Sequence, residues 1–210
     1  MTKEEKVEIV RNNIIDAAQV YLNNFIGKKF LYVFGNEYIE VRYKVENFMH
    51  LTGTDSRKLN AVKFYEKSKD RHLKRNQMFF SNRYPLKTAM GKSCELKRIN
   101  VFRNTEFYVI KDFSTEKETF DFCFSDYKIT LGFIKDSEII DGEKVTYDYY
   151  VPQTLRINEN ICEEVDYDKK VKIQYILSKI DDKALYSIFE FGDKENISSL
   201  PENIRSMIQI

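Results

Sequence analysis

The sequence predicts an α+β fold in which an N-terminal helix and a β-hairpin lead through basic helices into an antiparallel β-meander of four to five strands and a C-terminal helix. Three observations carry this expectation. Apolar residues recur at three- and four-residue steps from Val7 to Phe25, they alternate with charged ones between Glu40 and Val45, and period two returns from Glu106 onward. The 210 residues are 42% apolar and 14% aromatic, enough for one sizeable core, so residues 1–210 are expected to form a single domain. With 32% charged residues, this mixture excludes a disordered chain, a collagen-like fibre and a bare coiled coil.

Each element has its own local reason. Thr2 and Glu5 have capping-box spacing, and Val7, Val10, Ile14, Ala17, Ala18, Tyr21 and Phe25 then form one helical face that ends near Gly27. Gly35 and Asn36 separate Phe30–Phe34 from a strand in which Val41, Tyr43 and Val45 alternate with Glu40, Arg42 and Lys44, the pattern of a hairpin. Asp55 or Ser56 can cap a helix whose inner face includes Leu59, Val62 and Tyr65 or Glu66, and a second helix is expected from Leu86 to Phe102, with Pro85 at the join. EFYVIKDF, TFDFCFSD, KITLGFIKD and VTYDYYVPQTL read as four strands with turns at Ser114-Thr115, Ser125-Asp126 and Asp141-Gly142. VKIQYILSKI reads as a fifth strand, and DDKALYSIFEF as a closing helix with Gly192 beyond its end.

The net charge of +1 conceals a strong separation. Arg57 to Arg103 holds 14 Lys or Arg against 3 acidic residues, whereas Asp112 to Lys169 holds 15 acidic residues against 6 basic ones. A basic surface attracts phosphate backbones, although charge runs also serve simply as solvated faces. No apolar run approaches the ~18 residues needed to span a bilayer, and MTKEEKVEIV lacks a signal-peptide pattern, so a cytoplasmic protein without membrane contact is expected. Cys94, Cys123 and Cys162 are widely spaced and form no CxxC pair, so they read as free core thiols rather than a disulfide framework or zinc site.

Familiar cofactor chemistries find no support. Gly91-Lys92-Ser93 lacks the glycine that a nucleotide-binding loop needs five residues earlier, where Leu86 stands. HExxH, GxSxG and GxGxxG are absent, and Asp136, Glu138, Asp141 and Glu143 straddle a turn without calcium-loop spacing. Metal-free RNA cleavage does fit the inventory, because it needs only an acid, a base, and cations or hydroxyls around the phosphate. The candidates are His50 and Thr52 before the basic helices, Lys63, Lys67, Arg71, Lys74 and Arg75 along them, and Tyr150, Thr154 and Arg156 at a strand end. Each has a plainer role: His50 as a packed histidine in an apolar stretch, Thr52 and Thr54 as caps, Lys67 and Lys69 as solvated charges. Phe120, Phe122, Phe124 and Phe133 alternate as core residues do.

Asn47–Gly53, NFMHLTG, directly after the hairpin, resembles the F-x-HLTG element of the phage-associated barnase–EndoU–colicin–RelE-like nuclease group of polyvalent and mobile-element proteins. That group's later Y-x-P-x-S/T-L segment is loosely matched by Tyr150-Val151-Pro152-Gln153-Thr154-Leu155. The resemblance spans Lys28 to Arg156, a nuclease-like core with 1–27 and 157–210 as flanking elements. It implies a helix-plus-sheet ribonuclease fold, metal-independent cleavage without a cofactor, and a toxin or effector role opposed by an antitoxin or immunity protein. His50, Thr52, Thr154 and Arg156 carry over as active-site candidates. Tyr150 and Thr154 are expected to position phosphate, and Arg156 and Lys67 to stabilise it. Lys63, Lys67 and Arg71 are added from charge and helical spacing.

Two other readings compete. A non-catalytic mobile-element protein would bind nucleic acid or an acidic partner without forming product. A structural module would pair its basic and acidic surfaces between copies.

Overall fold

The computed structural model describes residues 1–114, 119–157, 165–166 and 169–209. Helix α1 (Lys3–Asn24) begins in the expected capping box, with Thr2 and Glu5 exchanging hydrogen bonds, and ends at Phe25. Strands β1 (Lys28–Phe34) and β2 (Glu37–Arg42) form the expected hairpin, with Phe34 opposite Glu37 across the Gly35-Asn36 turn. Helix α2 (Val45–Leu51) then occupies the motif segment. Helix α3 (Ala61–Lys69) starts later than Asp55 or Ser56 because Asn60 is the residue whose side chain accepts from the Lys63 backbone N–H. It buries Phe64, Tyr65 and Ser68, while Glu66 faces solvent.

The long helix expected over Leu86–Phe102 is two helices, α4 (Leu86–Leu96) and α5 (Val101–Asn104). Between them the 3-10-type bonds from Arg98 to Glu95 and from Ile99 to Leu96 tighten the chain and turn Ile99 into the core. Cys94 on α4 is exposed rather than a core thiol, Cys123 is buried, and Cys162 lies outside the described residues.

The meander is β3 (Tyr108–Ser114), β4 (Thr119–Ser125), β5 (Ile129–Ile140) and β6 (Glu143–Ile157), paired antiparallel in that order. The expected Ser114-Thr115 turn falls partly outside the described residues. The fifth strand is divided into β7 (Lys170–Lys172) and β8 (Tyr175–Ile180). The closing helix expected over DDKALYSIFEF is instead a turn followed by β9 (Ile188–Phe191). Its backbone pairs with β8, placing Ile176 opposite Phe191 and Ser178 opposite Ile188, so a sheet edge overrides the helical pattern. The C-terminal helix is the short α6 (Glu202–Arg205).

The nine strands order as β7-β3-β4-β5-β6-β2-β1-β8-β9, and β2 and β6 are the parallel neighbours, registered at Val41 opposite Tyr150. Lys172 and Tyr175 are only three residues apart, at most about 11 Å of chain, yet they belong to strands near opposite ends of that order. The sheet therefore curls into an incomplete barrel. The link is fixed by Ile173 N–H donating to Phe107 and Gln174 N–H donating to Val33. Rings meet inside: Tyr32 of β1 lies 4.6 Å from Phe124 of β4, and Phe107, just before β3, lies 4.8 Å from the same ring. As their alternation predicts, Phe120, Phe122, Phe124 and Phe133 are buried.

Helices α1 to α4 close over this inner face, and one apolar cluster runs from Ile14, Tyr21 and Phe48 through Tyr43 and Phe122 to Leu155. A smaller cluster of Leu31, Val33, Leu177, Tyr186 and Ile204 lies under the C-terminal segment on the outer face. Among the described residues, no helix is long and apolar enough to cross a membrane.

Phe48 holds α2 to this core, with its ring 5.3 Å from both Tyr21 and Tyr65. Phe48→Ala is expected to cost about 3–5 kcal/mol in denaturant unfolding, because three elements lose the same partner.

Candidate active site around the His50 turn

Residues 48–54 form a buried turn with one exception. Phe48, Met49, Leu51, Thr52, Gly53 and Thr54 are buried, and His50 alone is exposed. The turn is buried but not starved of hydrogen bonds. Thr52 Oγ1 donates to the Met49 carbonyl at 2.7 Å, lies 2.7 Å from Thr54 Oγ1, and accepts from the Thr54 N–H at 3.2 Å. Thr52 thus terminates α2 from inside the protein, and it steadies His50 rather than reaching outward.

Gly53 is required twice over. Its φ of +71° lies in the left-handed region, and a Cβ there would stand 2.9 Å from Lys92 Cδ and 3.4 Å from the Ala89 backbone. The close approach draws the stem of Lys92 across the turn that follows His50. Gly91 has a different duty from the phosphate loop considered for it: its bare face admits Ile157, whose Cδ1 would lie 2.2 Å from an added Cβ. Farther along, Asp55 and Phe79 exchange backbone hydrogen bonds at 3.3 and 2.7 Å, and the Arg57 guanidinium sits 3.6 Å from the Phe79 ring centroid. The turn is therefore bordered by Arg57 and Lys92.

The other sequence candidates divide among three places. Helix α2 packs against both β6 and α3, so the two halves of the motif are neighbours in the fold. Within β6, however, Leu155 turns inward to the helices, so Thr154 and Arg156 point to the outer face by strand alternation. There the Thr154 methyl and the Phe120 ring crowd Gly132, each 3.0 Å from where a Cβ would be. Tyr150 is half-buried, edge-on to Phe122 at 4.8 Å, and burial pushes its pKa up.

The remaining cations lie on the helical shell. Lys63 and Lys67 are exposed on α3. Arg71 ends that helix at φ +60°, where glycine is usual, while His72 N–H closes onto the Lys67 carbonyl at 2.7 Å. Arg71 lines a cleft of about 380 Å³ with Arg11, Asn12, Ile15 and Asp16. Lys74 is exposed, and Arg75 pairs with Glu8 at 3.6 Å. Sequence reasoning did not single out Lys92 or Arg57 as site residues; the glycine in HLTG signalled a close approach without saying to what.

A second constellation was also missed. At the β5 irregularity between Lys135 and Ser137, Asp136 is buried and accepts from Lys44 Nζ at 3.0 Å, and Glu138 accepts from the same amine at 2.8 Å. Tyr147 Oη donates to Glu138 at 3.2 Å, and Arg42 pairs with Asp181 at 2.7 Å. Burial opposes the charge on Lys44, but its two carboxylates outweigh that and raise its pKa above 10.5. The hydrogen bond from Lys44 lowers the Glu138 pKa below 4.5. This network ties the β2–α2 joint to β5 across the short parallel pairing. Among the described residues, no group of three or more His, Cys, Asp or Glu is placed to hold a metal ion.

The pH dependence of the network has a definite sign. A lowered carboxylate pKa stabilises the fold above the unfolded value and is lost as pH falls; a raised lysine pKa stabilises below the unfolded value and is lost as pH rises. The stabilisation is therefore fullest between about 4.5 and 10.5, the ordinary values of the two groups. Lys44→Met removes the cation shared by Asp136 and Glu138 and is expected to cost about 1–3 kcal/mol at neutral pH. In urea titrations the gap from wild type should narrow below the carboxylate range.

Searches of curated proteins and of solved structures each returned no match. A family model, phage-Barnase-EndoU-ColicinE5/D-RelE like nuclease 4, matches residues 13–195. The match is wider than the Lys28–Arg156 span of the motif resemblance, taking in most of α1 and the strands to β9 as well as the meander. With most of its length matched, the chain belongs to the phage-Barnase-EndoU-ColicinE5/D-RelE like nuclease 4 family.

Proposed function

We propose that the protein is an endoribonuclease that cleaves RNA by attack of the ribose 2′-hydroxyl on the adjacent phosphate, without a metal ion, with His50 as its acid–base group. The observation that carries this reading is the solitary exposure of His50 in a buried, internally hydrogen-bonded turn. An imidazole is the side chain best matched to proton transfer near neutral pH, and a rigid mounting keeps it in register with a bound strand. In the reaction the 2′-oxygen forms a bond to phosphorus as its proton passes to the base. The 5′-oxygen leaves with a proton from the acid, giving a 2′,3′-cyclic phosphate and a 5′-hydroxyl.

Lys92 and Arg57, beside the turn, supply cations for the crowded phosphate, whereas Thr154 and Arg156, on the outer face of β6, stand away from it. Thr52 is a positioning residue, and Tyr150 supports the strand through its ring. Lys63, Lys67, Arg71, Lys74 and Arg75 extend the basic surface along which a longer RNA lies. The phage origin in the family's name supports a toxin or effector acting in the cytoplasm and checked by an antitoxin or immunity protein.

The test is incubation of the purified chain with total RNA in excess chelator. Fragments ending in cyclic phosphate are expected. His50→Ala should slow their formation by roughly 10²–10⁴-fold with an almost unchanged Tm, since the imidazole is exposed. Wild-type cleavage by the variant overturns the assignment, and loss of cleavage in chelator overturns the metal-free route. Salt-sensitive RNA binding with no product would instead establish the non-catalytic reading.

A further inference from the structure

Among the described residues, the outer half of the β5–β6 hairpin has no sheet neighbour but itself. The register of β4 on β5 runs from Ser125–Thr130 to Phe122–Phe133, and β2 is registered on β6 at Tyr150, so among the described residues 137–146 pair with one another. In the parallel register Glu37 is level with Thr146. The ribbon therefore continues three residues past the start of β2, roughly 10 Å. A two-stranded ribbon is marginal in water and its open edges invite pairing. This one also presents apolar groups to solvent: Ile139 is 79% exposed, Ile140 46% and Val145 38%.

Ile140 and Val145 share one face of the ribbon, whereas Ile139, opposite Lys144, lies on the other. Val145 lies across from Glu138 and Ile140 across from Glu143, and the same face continues into Tyr147 and Tyr149, whose rings stack at 5.3 Å and 20°. Residues 136–148 carry five acidic groups; Asp136 and Glu138 pair with Lys44 and Asp148 with Lys135, while Asp141 and Glu143 stand exposed at the tip. An apolar ladder edged with carboxylates repels phosphate and fits a partner that is aromatic and basic. The chain itself carries such a surface. Arg57 lies over Phe79 at 3.6 Å and Arg83 over Tyr84 at 5.6 Å, beside exposed Lys58 and Lys87, and the only acidic residues from Arg57 to Lys92 are Glu66 and Asp70.

We propose that the β5–β6 ribbon of one copy docks on the Arg57–Phe79–Arg83–Tyr84 patch of a second copy. Two copies related by a two-fold axis make the contact twice, which closes the assembly as a dimer. The dimer covers part of the basic surface beside His50, so RNA competes with self-association. The contact stands whether or not the chain cleaves RNA.

Sedimentation velocity on the full chain decides the matter. A dimer is expected in low salt and a monomer in high salt. Glu143→Lys and Arg83→Glu, both at exposed positions, should each weaken dimerisation by about tenfold or more. An equal mixture of the two variants should recover a dimer, since it offers one unaltered ribbon to one unaltered patch and pairs the reversed charges in the other contact. A monomer at every accessible concentration in low salt overturns the proposal. A dimer indifferent to both substitutions, or a mixture no better than either variant, overturns it equally.

Discussion

The structure depends on the link at Ile173 and Gln174, which brings the two ends of the sheet together. A flat nine-stranded sheet would leave two faces to be covered by helices, and this chain has helices enough for one. Curling solves the problem: rings carried by strands far apart in sequence face one another across a shared interior, as Tyr32 does with Phe107 and Phe124. Burying a large aromatic ring contributes on the order of 3 kcal/mol, and the interior holds many. The closure is correspondingly sensitive, since its two backbone hydrogen bonds join strands separated by more than 60 residues.

The candidate site inherits its rigidity from that interior. Helix α2 is too short to persist alone, and it is held because Phe48, Met49 and Leu51 are sunk in the core. The threonine hydroxyls that follow are satisfied locally, so their burial carries little penalty. What results is a fixed platform with one polar group left outside. A histidine packed in the core would have been satisfied by neighbours, and this one instead faces solvent.

Charge follows the same division. The basic third of the chain forms the helical shell around α2 and α3, and the described part of the acidic third lies mostly in the strands and the projecting ribbon. Most local pairs, such as Arg75 with Glu8 or Lys135 with Asp148, are exposed and contribute little. The exceptions sit where elements must be joined. Lys44 ties α2's approach to β5, and Glu190, nearly buried, accepts from Arg103 and Ser178 to hold β9 against α5.

By itself the sequence determined the elements whose causes are local. The Thr2 capping box, the Gly35-Asn36 hairpin and the alternation through β3 to β6 rest on neighbours within a few residues, and the HLTG motif marked both its family and the glycine that its turn requires. Tertiary structure decided the rest. DDKALYSIFEF has helical spacing, yet it gives a strand because β8 offers an unpaired edge. The reach of Lys92 over Gly53, the outward turn of Thr154 and Arg156, and the pairing of Lys44 with Asp136 each depend on residues tens of positions away. Periodicity in sequence tells which side of an element is apolar; only the packed fold, in which curvature and closure are set by every strand together, tells what stands opposite.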